Sequence, residues 1–447
     1  MNNSSPHSNR PAQRDNLDEV LSIISHWWIE LVLLAPFVAL GLWGYRHYGS
    51  VVAALLVLGV VVLVVAPRHP RRILLWMLHQ SRVRRQLTVA FGATSGALQR
   101  HRPRVAKVER TPYGDRVTLR LARGTSSEDL ERALAVIATS LRVATLRMTI
   151  DPGARNVVRL SLVRRDAFRD DVPECPLLGV REWSLWERVP VGFNEERETV
   201  TLQLAENSWL AAGLPGSGKS VALSVLVAAA ALDPTVRLWL FDAKLVELAP
   251  WRDCAERFVG PDVEGAIAVL NELRLIMDQR YADLAQRGLR KVTRDSGLCL
   301  HVVVIDELAL YVAGVDRNAS TRFADALRDL VGRGRAAGII VLSATQKPGT
   351  DTVPSSLRDL YSWRYSMHSA TREASDTVLG SGWAARGFSA TEIDPTLRGL
   401  GLLLHENGTP ERVRSFHLTD DDVRVLAARA RALRAKAPRG REGGESW

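Results

Sequence analysis

The chain has 447 residues, with 59 lysines and arginines against 49 aspartates and glutamates, and so carries a formal net charge of +10. This length allows two or three domains, and the basic balance favours an anionic partner such as nucleic acid or the inner leaflet of a membrane. Its three scattered cysteines argue against a disulfide framework and a cysteine-based zinc site, and they suit a reducing compartment.

The amino-terminal 26 residues are polar, and we expect them to be disordered. Two apolar segments follow, at residues 27–45 and 51–66. At 1.5 Å per residue the second reaches about 24 Å, slightly less than a hydrocarbon core of about 30 Å, and flanking tryptophans and tyrosines would extend both segments into the headgroup zone. The alternatives are a buried helical hairpin and a signal peptide, but a signal peptide has one short apolar core and a small-residue cleavage site. We predict a membrane anchor of two transmembrane helices at residues 27–66.

The basic residues around these segments set the expected orientation. The turn between them carries Arg46, whereas the second segment is followed by Arg68, Arg71, Arg72, Arg82, Arg84 and Arg85. Positive charge favours the cytoplasmic side. We therefore expect a two-pass protein of the cell membrane, with both termini cytoplasmic and residues 67–105 forming a basic juxtamembrane connector.

The next region, residues 106–185, reads as a small α+β adaptor domain. Residues 116–122 alternate between apolar and polar side chains, as a half-buried strand does. Residues 126–141 form an amphipathic pattern that predicts a helix, and residues 144–150 and 156–163 predict two further strands. The region carries no catalytic constellation.

From residue 186 to about 420 apolar strands alternate with helices, which predicts an α/β domain with a parallel sheet covered on both faces. A final helix is predicted at residues 420–435, followed by a polar, glycine-rich tail. We therefore separate residues 421–447, as a C-terminal helix and disordered tail, from the preceding domain.

A phosphate-binding motif of the form G-x-x-x-x-G-K-S lies in this domain, after an apolar run and before a long Ala/Leu/Val helix. Its residues are Gly213, Leu214, Pro215, Gly216, Ser217, Gly218, Lys219 and Ser220. Glycines let backbone N–H groups turn toward phosphates at a helix N-terminus. We expect ATP and Mg²⁺ as ligands, with Lys219 on the β and γ phosphates and Ser220 on the metal.

Two further apolar strands end in residues suited to ATP hydrolysis. Residues 300–308 end in Asp306, which would contact Mg²⁺ through water, and Glu307, which would act as general base. Residues 338–347 end in Thr345 and Gln346, and Gln346 could sense the γ phosphate. The predicted catalytic residues are therefore Lys219, Asp306, Glu307 and Gln346, in a P-loop NTPase motor domain of the RecA/ASCE type.

The stretch LWLFDAKLVELAPW, residues 238–251, places an acid, a base and a second acid after another core strand. Asp242, Lys244 and Glu247 would emerge at the carboxyl edge of the sheet, where ligands bind. Alternatively, Asp242 caps the next helix and Lys244 pairs with Glu247 on its surface. The sequence leaves both interpretations open.

Four stretches together resemble the FtsK/SpoIIIE family of membrane-anchored DNA translocases. They are GLPGSGKS (213–220), FDAKLVEL (241–248), VVVIDEL (302–308) and GRGRAAGIIVLSATQKP (332–348). The resemblance covers roughly residues 105–415 and implies a ring, a hexamer in this family, that threads double-stranded DNA using ATP. Two membrane helices without a C-terminal winged-helix reader are similar to the TraB/TraSA-type conjugative transfer proteins of actinobacterial plasmids and integrative elements.

Besides the lack of a winged-helix reader, the chain departs from the family pattern at two places. Leu308 and Leu310, around Ala309, stand where the family usually has Phe and a further acid. The region after Gln346 fits loosely, so three arginines are candidates for the trans-acting finger: Arg335, Arg358 and Arg364. A basic cluster of Arg290, Lys291 and Arg294 would be either a DNA contact or a solvated turn.

The resemblance implies a membrane-anchored, ATP-driven double-stranded DNA translocase that moves plasmid or integrative-element DNA between cells during conjugation. The expected partners are duplex DNA, further copies of the chain, the cytoplasmic membrane and other transfer proteins. The alternatives are a chromosome-segregation translocase at division and the ATPase motor of a protein secretion system. A nucleotide-gated scaffold without turnover is a third interpretation, against which Glu307 argues.

Overall fold

The computed structural model describes Arg46 and residues 68–436, except residues 144, 151, 152, 155, 315 and 407. The predicted disordered amino terminus, the two predicted membrane helices and nearly all of the predicted tail lie outside the described residues. Within the described part, no helix combines the length and the apolarity that crossing a membrane requires.

The elements before residue 164 are helices and the strands of a four-stranded sheet. Their bounds are α1 (Arg68–Gly92), α2 (Ala97–Arg100), β1 (Arg104–Thr111), β2 (Gly114–Arg120), α3 (Ser127–Leu141), β3 (Thr145–Ile150) and β4 (Val157–Val163). The strand order is β1-β2-β4-β3. Helix α1 packs against α3, and its buried residues include Val83, Leu87 and Phe91.

Alternation and helical spacing predicted most of these elements. The three predicted strands and the predicted helix are confirmed by β2, β3, β4 and α3, with ends that differ by one or two residues. Strand β1 was not predicted, and residues 68–92 of the predicted connector form one helix. The frequent arginines of α1 interrupt its apolar stripe, which hides the helical period in the sequence.

The larger part of the chain is built on a ten-stranded sheet. Its strands are β5 (Val189–Phe193), β6 (Thr199–Leu202), β7 (Trp209–Ala212), β8 (Arg237–Phe241), β9 (Ala255–Val259), β10 (His301–Ile305), β11 (Ile339–Thr345), β12 (Trp363–Met367), β13 (Leu400–His405) and β14 (Glu411–Ser415). The helices are α4 (Lys219–Ala231), α5 (Val263–Gln286), α6 (Leu308–Val312), α7 (Arg317–Ala337), α8 (Ser355–Arg358), α9 (Arg372–Leu379) and α10 (Asp420–Arg434).

The sheet order is β6-β5-β14-β13-β12-β7-β11-β10-β8-β9. Strands β12, β7, β11, β10, β8 and β9 are parallel, and the four on the other side pair antiparallel. The expectation of a parallel sheet is therefore right for six strands, which include the four that carry the predicted motifs, and wrong for the other four. Short connections at residues 194–198 and 406–410 allow only hairpins, because a parallel pair needs a crossover of about a dozen residues.

The four central parallel strands, β7, β11, β10 and β8, are buried on both faces, which is why they read as mostly apolar runs. In β8, Leu238 and Leu240 face one core, together with residues of α4, while Trp239 and Phe241 face the other, with residues of α5 and α7. This alternation follows from the two-residue period of a strand. The two layers of helices fix the sheet and leave the ends of its strands free to build a site.

Helix α10, predicted at residues 420–435, packs against α4. Its Arg434 donates hydrogen bonds to the carbonyl oxygens of Ala230, Ala231, Asp233 and Val236, at 2.7 to 3.1 Å. Two of these carbonyls lie in the last turn of α4, where a helix leaves acceptors without intrahelical partners, and two lie in the turn that follows it. One side chain therefore ties the last described helix to the helix that follows the phosphate-binding motif.

Candidate active site

The phosphate-binding loop, residues 213–218, connects β7 to α4 in the middle of the sheet. Gly216 and Gly218 have φ angles of +78° and +100°, which L side chains rarely adopt. A Cβ on Gly218 would lie 2.4 Å from the backbone nitrogen of Gly399, and one on Gly213 would lie 2.9 Å from Ser217 Oγ. Backbone conformation and close packing therefore account for the glycines of the motif.

Lys219, the first residue of α4, is buried and turned toward this loop. Its Nζ donates to the carbonyl oxygens of Gly213 at 2.8 Å and Leu214 at 2.9 Å. Burial lowers the pKa of Lys219 to about 8, while the nearby carboxylate of Glu307 opposes that shift. Ser220, predicted to hold Mg²⁺, is the next residue of the same helical turn.

Asp306 follows β10 and is only 4% exposed. Its Oδ2 atom is buried and accepts no hydrogen bond within the described part of the chain. Burial raises its pKa to about 6, and the ammonium of Lys244 partly offsets this effect. A desolvated carboxylate oxygen without a donor is a suitable partner for a hard cation or its bound water, so this residue fits the predicted Mg²⁺ site.

Glu307 is held against the end of β11. Its Oε1 accepts hydrogen bonds from the Thr345 hydroxyl at 2.9 Å and from the backbone N–H of Gln346 at 3.0 Å. The register of the sheet places β11 between β7 and β10, so this contact ties the glutamate to the strand that separates the carboxylates from the phosphate-binding loop. Gln346 therefore touches the predicted base through its backbone, and its predicted role as a γ-phosphate sensor stays a prediction.

The acid-base-acid stretch after β8 combines the two interpretations that the sequence left open. Asp242 is fully buried and caps the turn that follows it, because its two oxygens accept from the backbone N–H groups of Lys244 and Leu248. Lys244 does not pair with Glu247; its Nζ lies 3.7 Å from Asp306 Oδ2 and 3.6 Å from Glu307 Oε2. The capping residue is structural, and the lysine reaches the predicted catalytic pair.

The three candidate arginines lie near the amino ends of the parallel strands, whereas the phosphate-binding loop follows the carboxyl end of β7. Helix α7 delivers Arg335 just before β11 begins, and Arg364 is the second residue of β12, which runs parallel to β7. Arg335 pairs with Glu406, whereas Arg358 and Arg364 both pair with Asp359. The fold therefore brings none of the three to the loop of the same chain, and each has an acidic partner within its own chain.

The basic cluster between α5 and β10 is partly neutralised. Lys291 pairs with Glu206 at 2.7 Å, and Arg294 pairs with Glu187 at 3.3 Å. These contacts support the interpretation of a solvated turn.

Sequence reasoning missed the segment around Gly399, although it lies against the phosphate-binding loop. The backbone N–H of Gly399 donates to the Ser217 carbonyl at 2.8 Å, and Gly399 has a φ angle of +82°. The repeated glycines of RGLG, residues 398–401, were the signal available in the sequence. The contact depends on a fold that brings residues almost 200 positions apart together.

A phosphate-binding loop, a buried aspartate with one carboxylate oxygen that accepts no hydrogen bond, and an anchored glutamate lie at the carboxyl ends of neighbouring parallel strands and define a P-loop ATPase. Residues 180–299 match the model of the FtsK/SpoIIIE family, which confirms the resemblance predicted from the motifs. The matched segment contains the phosphate-binding loop and the stretch after β8, and it ends before Asp306.

Curated relatives and a solved structure agree with this match. DNA translocase FtsK of Lactococcus lactis subsp. cremoris is 26% identical over 359 residues, which cover 72% of this chain and 44% of the relative. DNA translocase SftA of Bacillus subtilis is 29% identical over 244 residues, which cover 50% of this chain and 24% of the relative. The chain thus spans less than half the length of these relatives.

The pCW3 conjugation coupling protein TcpA, in a monomer form with ATPγS, superposes with a TM-score of 0.52 at 20% sequence identity. The superposition covers 78% of this chain and 99% of TcpA. At this level of identity the likeness establishes a shared fold.

Replacing Glu307 with Gln should lower the ATP hydrolysis rate at least about a hundredfold, because the amide keeps the shape of the side chain but cannot take a proton from water. ATP binding should persist, since Lys219 and the loop are unchanged. Binding of a fluorescent ATP analogue and phosphate release under single-turnover conditions measure the two effects separately. Lys219→Ala is the matched control that should lose binding. If the Glu307→Gln variant hydrolysed ATP at nearly the parental rate, Glu307 would be ruled out as the general base.

Replacing Asp306 with Asn should stabilise the metal-free protein increasingly as the pH rises from 4.5 to 7. The raised pKa means that the folded parent keeps a proton that the unfolded chain releases, so the parent loses stability as the pH rises through about 6. Between pH 4.5 and 7, the free energy of unfolding of Asp306→Asn should rise by about 1–3 kcal/mol relative to that of the parent. Thermal melts in EDTA measure it, with Asp325→Asn as a control at an exposed site. A difference that does not vary with pH would contradict the desolvated carboxylate.

Proposed function

We propose that this chain is an ATP-driven translocase of double-stranded DNA that works as a ring of identical subunits. The observation that carries the proposal is the juxtaposition of the phosphate-binding loop with the Asp306–Glu307 pair, in a chain that matches the FtsK/SpoIIIE family. Both curated relatives described above are named DNA translocases.

The geometry supports a division of labour in hydrolysis. The phosphate-binding loop and Lys219 would bind and orient the phosphates of ATP, while Ser220 and Asp306 would hold Mg²⁺, which neutralises phosphate charge when bound. Glu307 would take the proton of the attacking water at a carboxylate oxygen. Thr345 and the backbone of Gln346 hold that carboxylate, and the cost of burying it is partly offset by their hydrogen bonds.

The positions of the candidate arginines support a ring of identical copies. The candidate arginines Arg335, Arg358 and Arg364 lie near the amino ends of the parallel strands, so any of them that stabilises the transferred phosphoryl group would do so in a neighbouring copy. We propose a homo-oligomeric ring, a hexamer by analogy with the family. Contacts to DNA would be made to the phosphate backbone, which carries no base sequence.

Anchoring in the cytoplasmic membrane is part of the proposal. The apolar segments at residues 27–45 and 51–66 support it, together with the first half of α1. There four consecutive apolar residues, Leu75, Trp76, Met77 and Leu78, are exposed, and the exposed arginines Arg82, Arg84 and Arg85 follow. An exposed apolar turn beside a basic one suits the interface of an anionic membrane.

We further propose that the translocated DNA belongs to a conjugative plasmid or integrative element and passes between cells. The fold shared with a conjugation coupling protein over most of this chain makes that cargo the first to test. Chromosome segregation would require the same motor on different DNA, so the genomic neighbourhood distinguishes the two: genes for replication and integration would support conjugation, and division genes segregation.

Linear duplex DNA should stimulate ATP hydrolysis several-fold, and the stimulation should fall as salt rises because backbone contacts release counterions. Displacement of a third strand from a triplex measures movement along the duplex. Lys219→Ala should abolish both ATP hydrolysis and triplex displacement. Glu307→Gln should still bind DNA but should not move along it. If assembled oligomers hydrolyse ATP at the same rate with and without duplex DNA, the proposal fails; stimulation by peptides instead would favour a protein secretion motor.

The full chain should stay in the membrane pellet after alkaline extraction, since two apolar helices would be embedded in the hydrocarbon core. A variant that lacks residues 27–66 should move to the soluble fraction. A reporter that fluoresces only in the cytoplasm, fused to the carboxyl terminus, tests orientation. Release of the full chain by alkali would contradict the anchor, and a dark reporter on a stable fusion would contradict the orientation.

A further inference from the structure

Lys244 is the cation nearest to both predicted catalytic carboxylates among the ion pairs of the described residues. Its Nζ lies 3.7 Å from Asp306 Oδ2 and 3.6 Å from Glu307 Oε2. Both distances exceed a hydrogen bond, so the contact is an ion pair without a directional bond. Lys219, the other nearby lysine, is instead bonded to the carbonyl oxygens of its own loop.

The two acids differ in how else they are satisfied. Glu307 accepts hydrogen bonds from Thr345 and Gln346, whereas Asp306 Oδ2 accepts none. The Lys244 side chain is 36% exposed, against 2% for that of Asp306, so the lysine approaches the buried acids from the solvent side. It therefore lies beside the Asp306 oxygen that accepts no hydrogen bond, so the ammonium and a metal ion would compete for the same carboxylate.

Lys244 belongs to a short loop, residues 243–247, whose backbone is held by Asp242, since the Asp242 carbonyl oxygen also accepts from the backbone N–H of Leu245 at 3.1 Å. The buried Asp242 accepts from the backbone N–H groups of Lys244 and Leu248. Between them, Leu245 has a φ angle of +61°, an uncommon conformation for a leucine, and it is 48% exposed. Val246 is 68% exposed. Two apolar side chains thus face outward on the same short loop whose lysine faces the acids.

We propose that Lys244 is a positioning residue that neutralises the Asp306–Glu307 pair and exchanges with Mg²⁺ when metal and nucleotide bind. A divalent cation at Asp306 repels the ammonium, and a contact without a hydrogen bond is easily displaced. Movement of Lys244 carries the adjoining Leu245 and Val246 with it. The loop thereby converts occupancy of the metal site into a shift of an exposed apolar surface.

This inference rests on the proposed function only in that the site binds ATP or ADP with Mg²⁺. It assigns to Lys244 a role in metal competition rather than in phosphate binding. The two roles have opposite consequences for substitution. Loss of a competing cation strengthens metal binding, whereas loss of a phosphate ligand weakens nucleotide binding.

The test uses the full chain in detergent with saturating ADP, and Mn²⁺ as the probe. The electron paramagnetic resonance signal of free Mn²⁺ reports how much metal is bound, and Mg²⁺ affinity follows by competition. Lys244→Met should bind either metal at least threefold more tightly than the parent, and Lys244→Arg should restore the parental affinity. Lys347→Met is the matched control, because it removes an exposed lysine near the same strand ends and should change metal affinity less than twofold.

Hydrogen exchange of the 243–248 amides gives a second readout without turnover. In the parent, Mg²⁺ with ADP should speed exchange in this loop, while Lys244→Met should exchange quickly with or without metal. Unchanged or weaker metal binding by Lys244→Met would overturn the proposal, as would a selective loss of ATP affinity relative to ADP. A lower melting temperature with unchanged metal affinity would show a purely structural role and would also overturn it. No DNA is present, so failure of DNA translocation leaves this result intact, whereas failure of the parent to bind ADP would count against the ATPase site itself.

Discussion

The site depends on keeping two carboxylates, Asp306 and Glu307, out of water at the end of one strand. Burial of ionised groups is unfavourable unless other groups compensate. For Glu307 the compensation is two hydrogen bonds from the end of β11, and for both acids it includes the ammonium of Lys244. For Asp306 it is incomplete, and burial raises its pKa. A divalent cation that binds Asp306 would offset this remaining cost of burying the carboxylate.

The sheet makes this arrangement possible because its parallel strands end at a common edge. Strands β7, β11, β10 and β8 lie side by side and deliver, in that order, the phosphate-binding loop, Thr345, the two acids and Asp242. Each strand is covered by helices on both faces, so the ends can be polar while the strands stay apolar. The site is therefore assembled from the carboxyl ends of four neighbouring strands, which the core holds in register.

Much of this could be read from the sequence, for reasons that are local. The phosphate-binding motif is specific because glycine is needed at fixed positions, and the structure shows why at Gly213, Gly216 and Gly218. Alternating or continuous apolar runs predicted β8, β10 and β11, and also β2, β3 and β4 of the four-stranded sheet. The antiparallel side of the sheet was not predicted, because a short apolar run does not reveal the direction of its neighbour.

The sequence by itself determined the residue types of the site, the strands that carry them and the family that the chain resembles. Only the tertiary structure decided which side chains meet: that Thr345 and the backbone of Gln346 hold Glu307, that Gly399 lies against the phosphate-binding loop, and that Lys244 reaches the acids instead of pairing with Glu247. Motifs and periodicity are properties of neighbouring residues, whereas these contacts depend on strand order. Strand order follows from how two apolar cores pack against the sheet, and no single stretch of the chain encodes that packing.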